Sequence, residues 1–483
     1  MATLFAKVET VLGMEVHAEL LTQSKMFCGC STQFGAPPNS QCCPVCLGLP
    51  GSLPVPNRAA VEHVLRTALA LNCRINWRSI FHRKNYFYPD LPKAYQISQY
   101  DVPIGVDGYL DVRLDGEVKR IRIRRVHLEE DTGKLFHIEA ATSFVDYNRS
   151  GVPLMEVVSE PDIYSAEEAR AYLRALRLVL VWIGASDGKM EQGSLRCEPN
   201  ISIRPAGTTE LGTKVELKNL NSFQSVYQGV AYEVERQTQA LARGEELVQE
   251  TRRWDEERLI TAPMRTKEYA HDYRYFPEPD LVPLEFDAPW IERLRAGLPE
   301  LPEARYARYV RDYGLSEYEA SLLIERDQPQ VSDFFDAALR AYGGDPKRVS
   351  NWMQSDFLRL FNAAGEDWPA VKVRPEHLAA MLKLQDKGQI SGKIAKEVFE
   401  VMWTTGKPPE QIVQERGLQV IGTEEDLAPI IDQVLAQHPA VVESIRKGEE
   451  GKFNFLVGQV MRATRGKADP GLVNRMLRER IAG

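Results

Sequence analysis

Five short stretches between residues 13 and 218 set charged side chains against apolar ones within a strand, and they constrain the fold more than any other feature of the chain. In residues 13–20 (GMEVHAEL) a period of two puts Glu15, His17 and Glu19 on one face and Met14, Val16, Ala18 and Leu20 on the other. In residues 120–131 (RIRIRRVHLEED) the apolar set changes parity, from Ile121 and Ile123 to Val126 and Leu128, so the strand bulges or switches its buried side. Beyond the shift Arg125, His127, Glu129 and Asp131 share a face, with Glu130 opposite. Residues 195–204 alternate Arg196, Glu198, Asn200, Ser202 and Arg204 with apolar partners, and residues 213–218 do the same with Lys214, Glu216 and Lys218. In residues 151–161 (GVPLMEVVSEP) Glu156 interrupts an apolar run, and a buried carboxylate is costly unless a cation or donors satisfy it. The first segment can also be read as a solvated edge strand and the second as a solvated charge run, and one polar-faced strand is commonplace in an antiparallel sheet. Five together, rich in Glu, His, Arg, Lys and Asn, predict an antiparallel sheet with a wet, charged, concave face. Helices over residues 57–72, 165–184 and 222–244 are expected to cover its apolar back. The second opens with a capping-box pair, Ser165 and Glu168, and the third closes at Gly244.

Beyond residue 290 the strand pattern gives way to helices, expected at 302–312, 332–342, 346–361, 375–387 and 393–403. A final helix has Asp469 as N-cap and Pro470 at its first position. The stretch TTGKPP at 404–409 reads as a linker. At about 150 residues per domain, a chain of 483 suggests roughly three. The expected class is α+β: a large antiparallel-sheet domain over residues 1–292, an all-helical domain over 293–406 and a small helical tail over 407–483. Sixty basic and 68 acidic residues leave a net charge of −8, which argues against a surface that coats nucleic acid throughout but allows local basic patches. The longest apolar run, at 178–185, is too short for a bilayer, and the first 20 residues lack a leader pattern. A cytoplasmic protein is expected.

Five of the seven cysteines lie within residues 28–46. Cys28-Gly-Cys30 and Cys43-Pro-Val-Cys46 are two tight pairs of the kind that wraps one tetrahedral ion, so a structural zinc knuckle is expected, with loose thiols as the alternative. Carboxylates with one or two imidazoles and no nearby thiol instead favour Mg²⁺ or Mn²⁺, ions that commonly bridge nucleotide phosphates. The loop RKNYFYPDLPKAY at 83–95 offers Arg83, Lys84 and Lys93 among aromatics; it suits either a nucleotide or a packed, proline-bent loop. Arg149 and Lys214 are further candidates for phosphate. No Walker loop, GxGxxG or HExxH motif occurs, so a nucleotide site has to be built on the sheet.

The run VDYNRSGVPLMEVVSEPD at 145–162 resembles the signature of the B-subunit family of aspartyl/glutamyl-tRNA amidotransferases. GMEVHAEL at 13–20, RKNYFYPDLPKAYQISQYD at 83–101, GSLRCEPNISIRP at 193–205, KVELKNLNSF at 214–223, DYRYFPEPDL at 272–281 and FLVGQVMRATRGKADPGLVNRML at 455–477 are similar in kind and in family order. The resemblance implies a cradle domain like that of glutamine synthetase. It implies a heterotrimer with an amidase (glutaminase) subunit, which releases ammonia from glutamine, and a small third subunit. It further implies ATP-dependent phosphorylation of the side-chain carboxylate of tRNA mischarged with Asp or Glu, followed by amidation. Carried onto this chain, the Mg²⁺ ligands are His17, Glu130 and Glu156, with Glu15 and Glu129 nearby as candidate catalytic residues. Because strand parity prefers Glu129, both Glu129 and Glu130 stay open. The four cysteines Cys28, Cys30, Cys43 and Cys46 match the zinc set found in some family members. A tRNA-binding scaffold without chemistry is the alternative, and a free-standing ligase related to glutamine synthetase is a weaker third. From Ser444 onward nine basic residues face four acidic ones, and the resemblance makes this tail a tRNA grip, with Arg462, Arg465, Lys467, Arg475 and Arg478 as candidates.

Overall fold

A computed structural model describes residues 8–139, 142–266, 270–366, 368–418, 424–464 and 467–482. The chain divides into two compact units, Met1–Arg305 and Tyr306–Gly483.

Among the described residues of the first unit nine strands form one sheet, in the order Ile260–Thr266, Glu250–Asp255, Val215–Lys218, Leu195–Pro205, Val8–Glu19, Pro153–Ser159, Glu117–Glu130, Gly105–Leu114 and Arg74–Ile75. All five segments with charged faces lie in it. Neighbouring strands are antiparallel except for Val215–Lys218 and Glu250–Asp255, which run parallel. The sheet is therefore mixed, a correction to the purely antiparallel expectation. The reason is the helix Phe223–Ala242, which carries the chain back across the sheet between those two strands, as a parallel connection requires.

The bulge in the 117–130 strand falls where the register passes from Val158 opposite Arg125 to Ser159 opposite Ile123, leaving Arg124 out of the ladder. Helices Arg58–Ala70, Ala166–Trp182 and Phe223–Ala242 bury Val64, Leu65, Leu173, Leu176, Val226 and Val230 in one core with Met14, Val16, Ile121, Val126, Met155 and Val157 of the sheet. Ser165 caps the second helix by accepting the Glu168 N–H at 3.1 Å. The Glu168 carboxylate does not complete the expected box; it takes the N–H of Tyr164 at 2.8 Å and pairs with Lys119. A small three-stranded sheet of Phe276–Pro277, His82–Asn85 and Tyr95–Ser98 is tied to the 117–130 strand, with the Leu128 N–H donating to Gln99 and the Ile97 N–H to Glu130.

Among the described residues the named elements of the second unit are helices. The expected helix at 346–361 is interrupted by a π turn at Met353–Phe357. Helix Pro409–Arg416 packs on Pro375–Asp386 and Gly392–Thr405. The last helices have a core of their own, with Leu427 and Ile431 from Glu424–Gln437, Leu456 and Val460 from Phe453–Ala463, and Val473 and Leu477 from Pro470–Ala482.

Candidate active site

The charged side of the sheet floors a cavity of about 610 Å³. Strand register builds the floor in rows. His17 lies opposite Glu156 on one neighbouring strand and Arg196 on the other, and Glu156 lies opposite His127. His17 Nε2 is 3.5 Å from Glu129 Oε1 and 3.8 Å from Glu156 Oε2, while His127 Nε2 is 2.9 Å from Glu156 Oε2. Burial pushes the Glu156 carboxyl up, but His127, His17 and Arg125 outweigh it and hold the group well below the usual carboxylate range.

Among the described residues two groups on this floor have the reach to hold a cation: His17, Glu129 and Glu156, and beside them Glu15, Glu198 and Glu216. In the second group Lys218 pairs with Glu198 at 2.8 Å, Thr251 donates to Glu216 at 2.9 Å, and Asn200 donates to Glu15 at 3.0 Å. Burial, then Glu156, Glu216 and Glu198, raise the Glu15 carboxyl. A hard-oxygen donor set with one imidazole suits Mg²⁺ or Mn²⁺.

Of the two adjacent acids, Glu129 joins His17 and Glu156. The pleat turns Glu130 to the other side, where the Lys93 ammonium pairs with its carboxylate and the Ile97 N–H donates to it at 3.0 Å. Lys93 is thereby drawn away from the cavity. Arg83 is also engaged elsewhere, in a fork–fork pair with Glu278 at 2.6 and 2.8 Å. Arg149 donates to the carbonyls of Thr132 and Gly133. Lys84 and Lys214 do line the cavity, and the Lys84 ammonium sits 4.8 Å from the ring centre of Tyr273.

Arg125, His127, Arg196, Glu198, Glu216 and Lys218 also line the cavity. Parity places each of them on a polar face, yet nothing in the pattern ranks them above their neighbours. Arg125 Nε and Arg196 Nε are buried without a hydrogen-bond partner, which suits an anionic ligand. Arg196 donates to Asp131, and burial together with Asp131 pushes the Glu19 carboxyl up to about 8. Tyr273 and Tyr275 reach the cavity from a segment without strand or helix periodicity.

The sulfur atoms of Cys28, Cys30, Cys43 and Cys46 lie close enough together to wrap one ion. The Cys28 thiol, the Cys43 N–H and the Lys25 ammonium, 3.6 Å from the Cys46 sulfur, overcome burial and hold Cys46 down to about 4. Four clustered sulfurs of this kind fit zinc. Gly151, with φ near +85°, brings the backbone between Cys46, Lys25 and Glu130, and a Cβ there would sit 3.5–3.8 Å from all three.

In the second unit Arg462 is exposed, while Arg465 lies outside the described residues. Lys467 donates to the Gly417 carbonyl, Arg475 pairs with Glu424, and Arg478 covers the Phe453 ring at 4.8 Å. Part of the local basic excess is thus compensated within the fold.

Residues 10–292 match the family model described as the GatB/GatE catalytic domain, and residues 333–481 match that of the GatB domain. A Moorella thermoacetica protein described as the B subunit of aspartyl/glutamyl-tRNA(Asn/Gln) amidotransferase is 56% identical over 477 residues, 98% of this chain and 99% of its own. A relative from a Thermoanaerobacter species with the same description is 54% identical over 476 residues, covering 99% of this chain and 100% of its own. The Brevibacillus brevis counterpart is 53% identical over 475 residues, 98% of this chain and 99% of its own.

Proposed function

The chain belongs to the family of aspartyl/glutamyl-tRNA amidotransferase B subunits, and on that premise we propose that its cavity activates the side-chain carboxylate of tRNA-borne aspartate or glutamate with ATP. It is one subunit of a tRNA-dependent amidotransferase. The observation that carries the proposal is the floor itself, where a buried carboxylate–imidazole cluster is surrounded by cations from several strands. A scaffold that only binds tRNA has no use for such a cluster.

In the proposed reaction a carboxylate oxygen attacks the γ-phosphorus of ATP, the bond to ADP breaks, and an acyl phosphate forms. Ammonia then attacks the acyl carbon, phosphate leaves, and a proton is released as the amide forms. His17, Glu129 and Glu156 would hold a divalent ion, which supplies positive charge against the charge developing on the transferred group. Lys84, Lys214, Lys218, Arg125 and Arg196 neutralise and orient the phosphates. His127 fixes Glu156, and Asn200 and Thr251 orient the neighbouring carboxylates. The four cysteines would hold a structural zinc ion.

The ammonia comes from a separate amidase, the assembly is completed by a small third subunit, and the tRNA pool of the cytoplasm supplies the substrate. Among the described residues no helix is long and apolar enough to cross a membrane. The test is incubation of the reconstituted complex with γ-labelled ATP and tRNA charged with Asp or Glu. Phosphate release that requires the aminoacyl group is expected; ATP turnover indifferent to it would defeat the proposal.

The tail is proposed to grip the tRNA body. It would hold phosphates, and so position the tRNA without reading the amino acid. Because helix Pro409–Arg416 packs on the preceding helices, the informative truncation keeps it and ends after Leu418. That variant is expected to bind charged tRNA more weakly, with the slope of log K against log salt reduced by roughly 0.7–0.9 for each phosphate no longer neutralised. Unchanged KM for tRNA across a salt series would remove the tail from the tRNA interface.

A further inference from the structure

Four tyrosines line the cavity, and their rings touch one another in a row. Tyr86 meets Tyr273 edge to face at 6.1 Å between ring centres, and Tyr273 meets Tyr275 in the same way at 6.1 Å. Tyr275 then stacks on Tyr100, with centres 4.3 Å apart and 11° between the planes. The row belongs to the small three-stranded sheet on one side of the floor. On the far side, strands Val215–Lys218 and Glu250–Asp255 contribute Glu216, Lys218 and Thr251 and no ring.

The rings are fixed by contacts around them. Asn85 donates to the carbonyls of Tyr273 and Arg274 at 3.2 and 2.8 Å, and Phe276 is in register with Arg83, whose guanidinium holds Glu278. His82 Nε2 lies 3.1 Å from Asp101 Oδ1, and the His82 ring meets the Tyr100 ring edge to face at 6.3 Å. Tyr100 is nevertheless 43% exposed. With one face against Tyr275 and that much area open, it presents an aromatic surface at the mouth of the cavity, the arrangement on which a planar ligand stacks. Ser98 donates to Glu129 at 3.1 Å, and Tyr100, two residues further on, is separated from Ser98 by at most about 7 Å of chain.

We propose that the Tyr100–Tyr275 stack receives the 3′-terminal base of the charged tRNA. The inference rests on the amidotransferase reading above, in which the aminoacyl ester is carried by the ribose of the last nucleoside. When the side-chain carboxylate reaches the floor beside Glu129, the base of that nucleoside has to lie close by, toward the mouth. A single-stranded RNA end leaves its base free to stack, and an aromatic ring holds a base by its face. ATP also carries a base, but ATP enters the cavity whole. The terminal base of a tRNA stays joined to RNA outside, and an exposed platform at the mouth suits it better.

The test uses the reconstituted complex with uncharged tRNA, intact or trimmed of its 3′-terminal nucleotide, so that binding is read without chemistry. The wild type is expected to bind intact tRNA more tightly than trimmed tRNA. Tyr100→Ala is expected to weaken binding of intact tRNA about 5- to 100-fold and to leave binding of trimmed tRNA and of ATP unchanged. Tyr100→Phe, which keeps the ring, is expected to bind as the wild type does. Tyr275→Ala removes the backing ring from a separate segment and should act in the same direction, so a folding defect in one variant, seen by thermal unfolding, leaves the other informative. Equal losses for intact and trimmed tRNA, or no loss, overturn the proposal. So does weaker ATP binding with tRNA affinity retained, which would put the adenine of ATP on the stack. ATP turnover indifferent to the aminoacyl group would count against the activation reading instead, and the binding comparison would still decide where the tRNA end lies.

Discussion

Glu156→Gln is expected to lower ATP-dependent activation by about 10²–10³-fold while leaving the fold and tRNA binding intact. The residue lies on the central strand pair, in a run of buried apolar residues, with its buried side chain on the charged face of the sheet. Its charge is what His127 at 2.9 Å and His17 at 3.8 Å are arranged around. Glutamine keeps the shape and can still accept from an imidazole N–H, so packing should survive. It removes one negative charge from the trio that would hold the divalent ion, where charge has to be balanced as the phosphoryl group moves. Single-turnover phosphate release from ATP in the presence of charged tRNA measures the loss, and filter binding of the same tRNA measures what remains. Near-normal activation in this variant would exclude Glu156 as a metal ligand.

Cys43→Ser is expected to release the zinc ion and lower the thermal midpoint of the N-terminal unit, with ATP binding largely retained. Structural zinc sites contribute about 10–16 kcal/mol of apparent binding free energy in small zinc-finger peptides. Here the loss would fall mainly on the knuckle, whose backbone outside the cysteines is held by turns and by the Asn39 bonds to Val145 and Asp146. The effect should spread one layer further. Cys46, Lys25, Gly151 and Glu130 meet where the knuckle touches the end of the sheet, so slackness there loosens the Glu130–Lys93 pair but leaves the His17 cluster on its own strands. Elemental analysis and a thermal scan with and without chelator test this directly. Wild-type protein free of zinc would remove the idea.

The pair Glu129 and Glu130 illustrates how far local pattern carries. Alternation along 120–131 puts Glu129 with His127 and Glu130 on the far side, and the strand register has that geometry even across the bulge at Arg124. Resemblance alone points to Glu130. Side-chain direction in a strand follows from the pleat, which is a property of the backbone at that residue, so it can be read without knowing the neighbours. Lys93 and Arg83 cannot be read this way. Both are cations among the aromatics of residues 83–95, and only the folded chain gives them Glu130 and Glu278 as partners.

The face each polar residue occupies, the helical character of the chain beyond residue 290 and the spacing of the four cysteines are written in local sequence, because pleat, helical turn and chelate spacing each span only a few residues. The order of the strands, the parallel pairing made by the Phe223–Ala242 crossover and the approach of Tyr273 and Tyr275 to the cavity that His17 lines depend on contacts between segments up to some 250 residues apart. Such contacts are chosen by how the whole apolar back packs, a sum over many side chains from distant segments, and no window of sequence contains it.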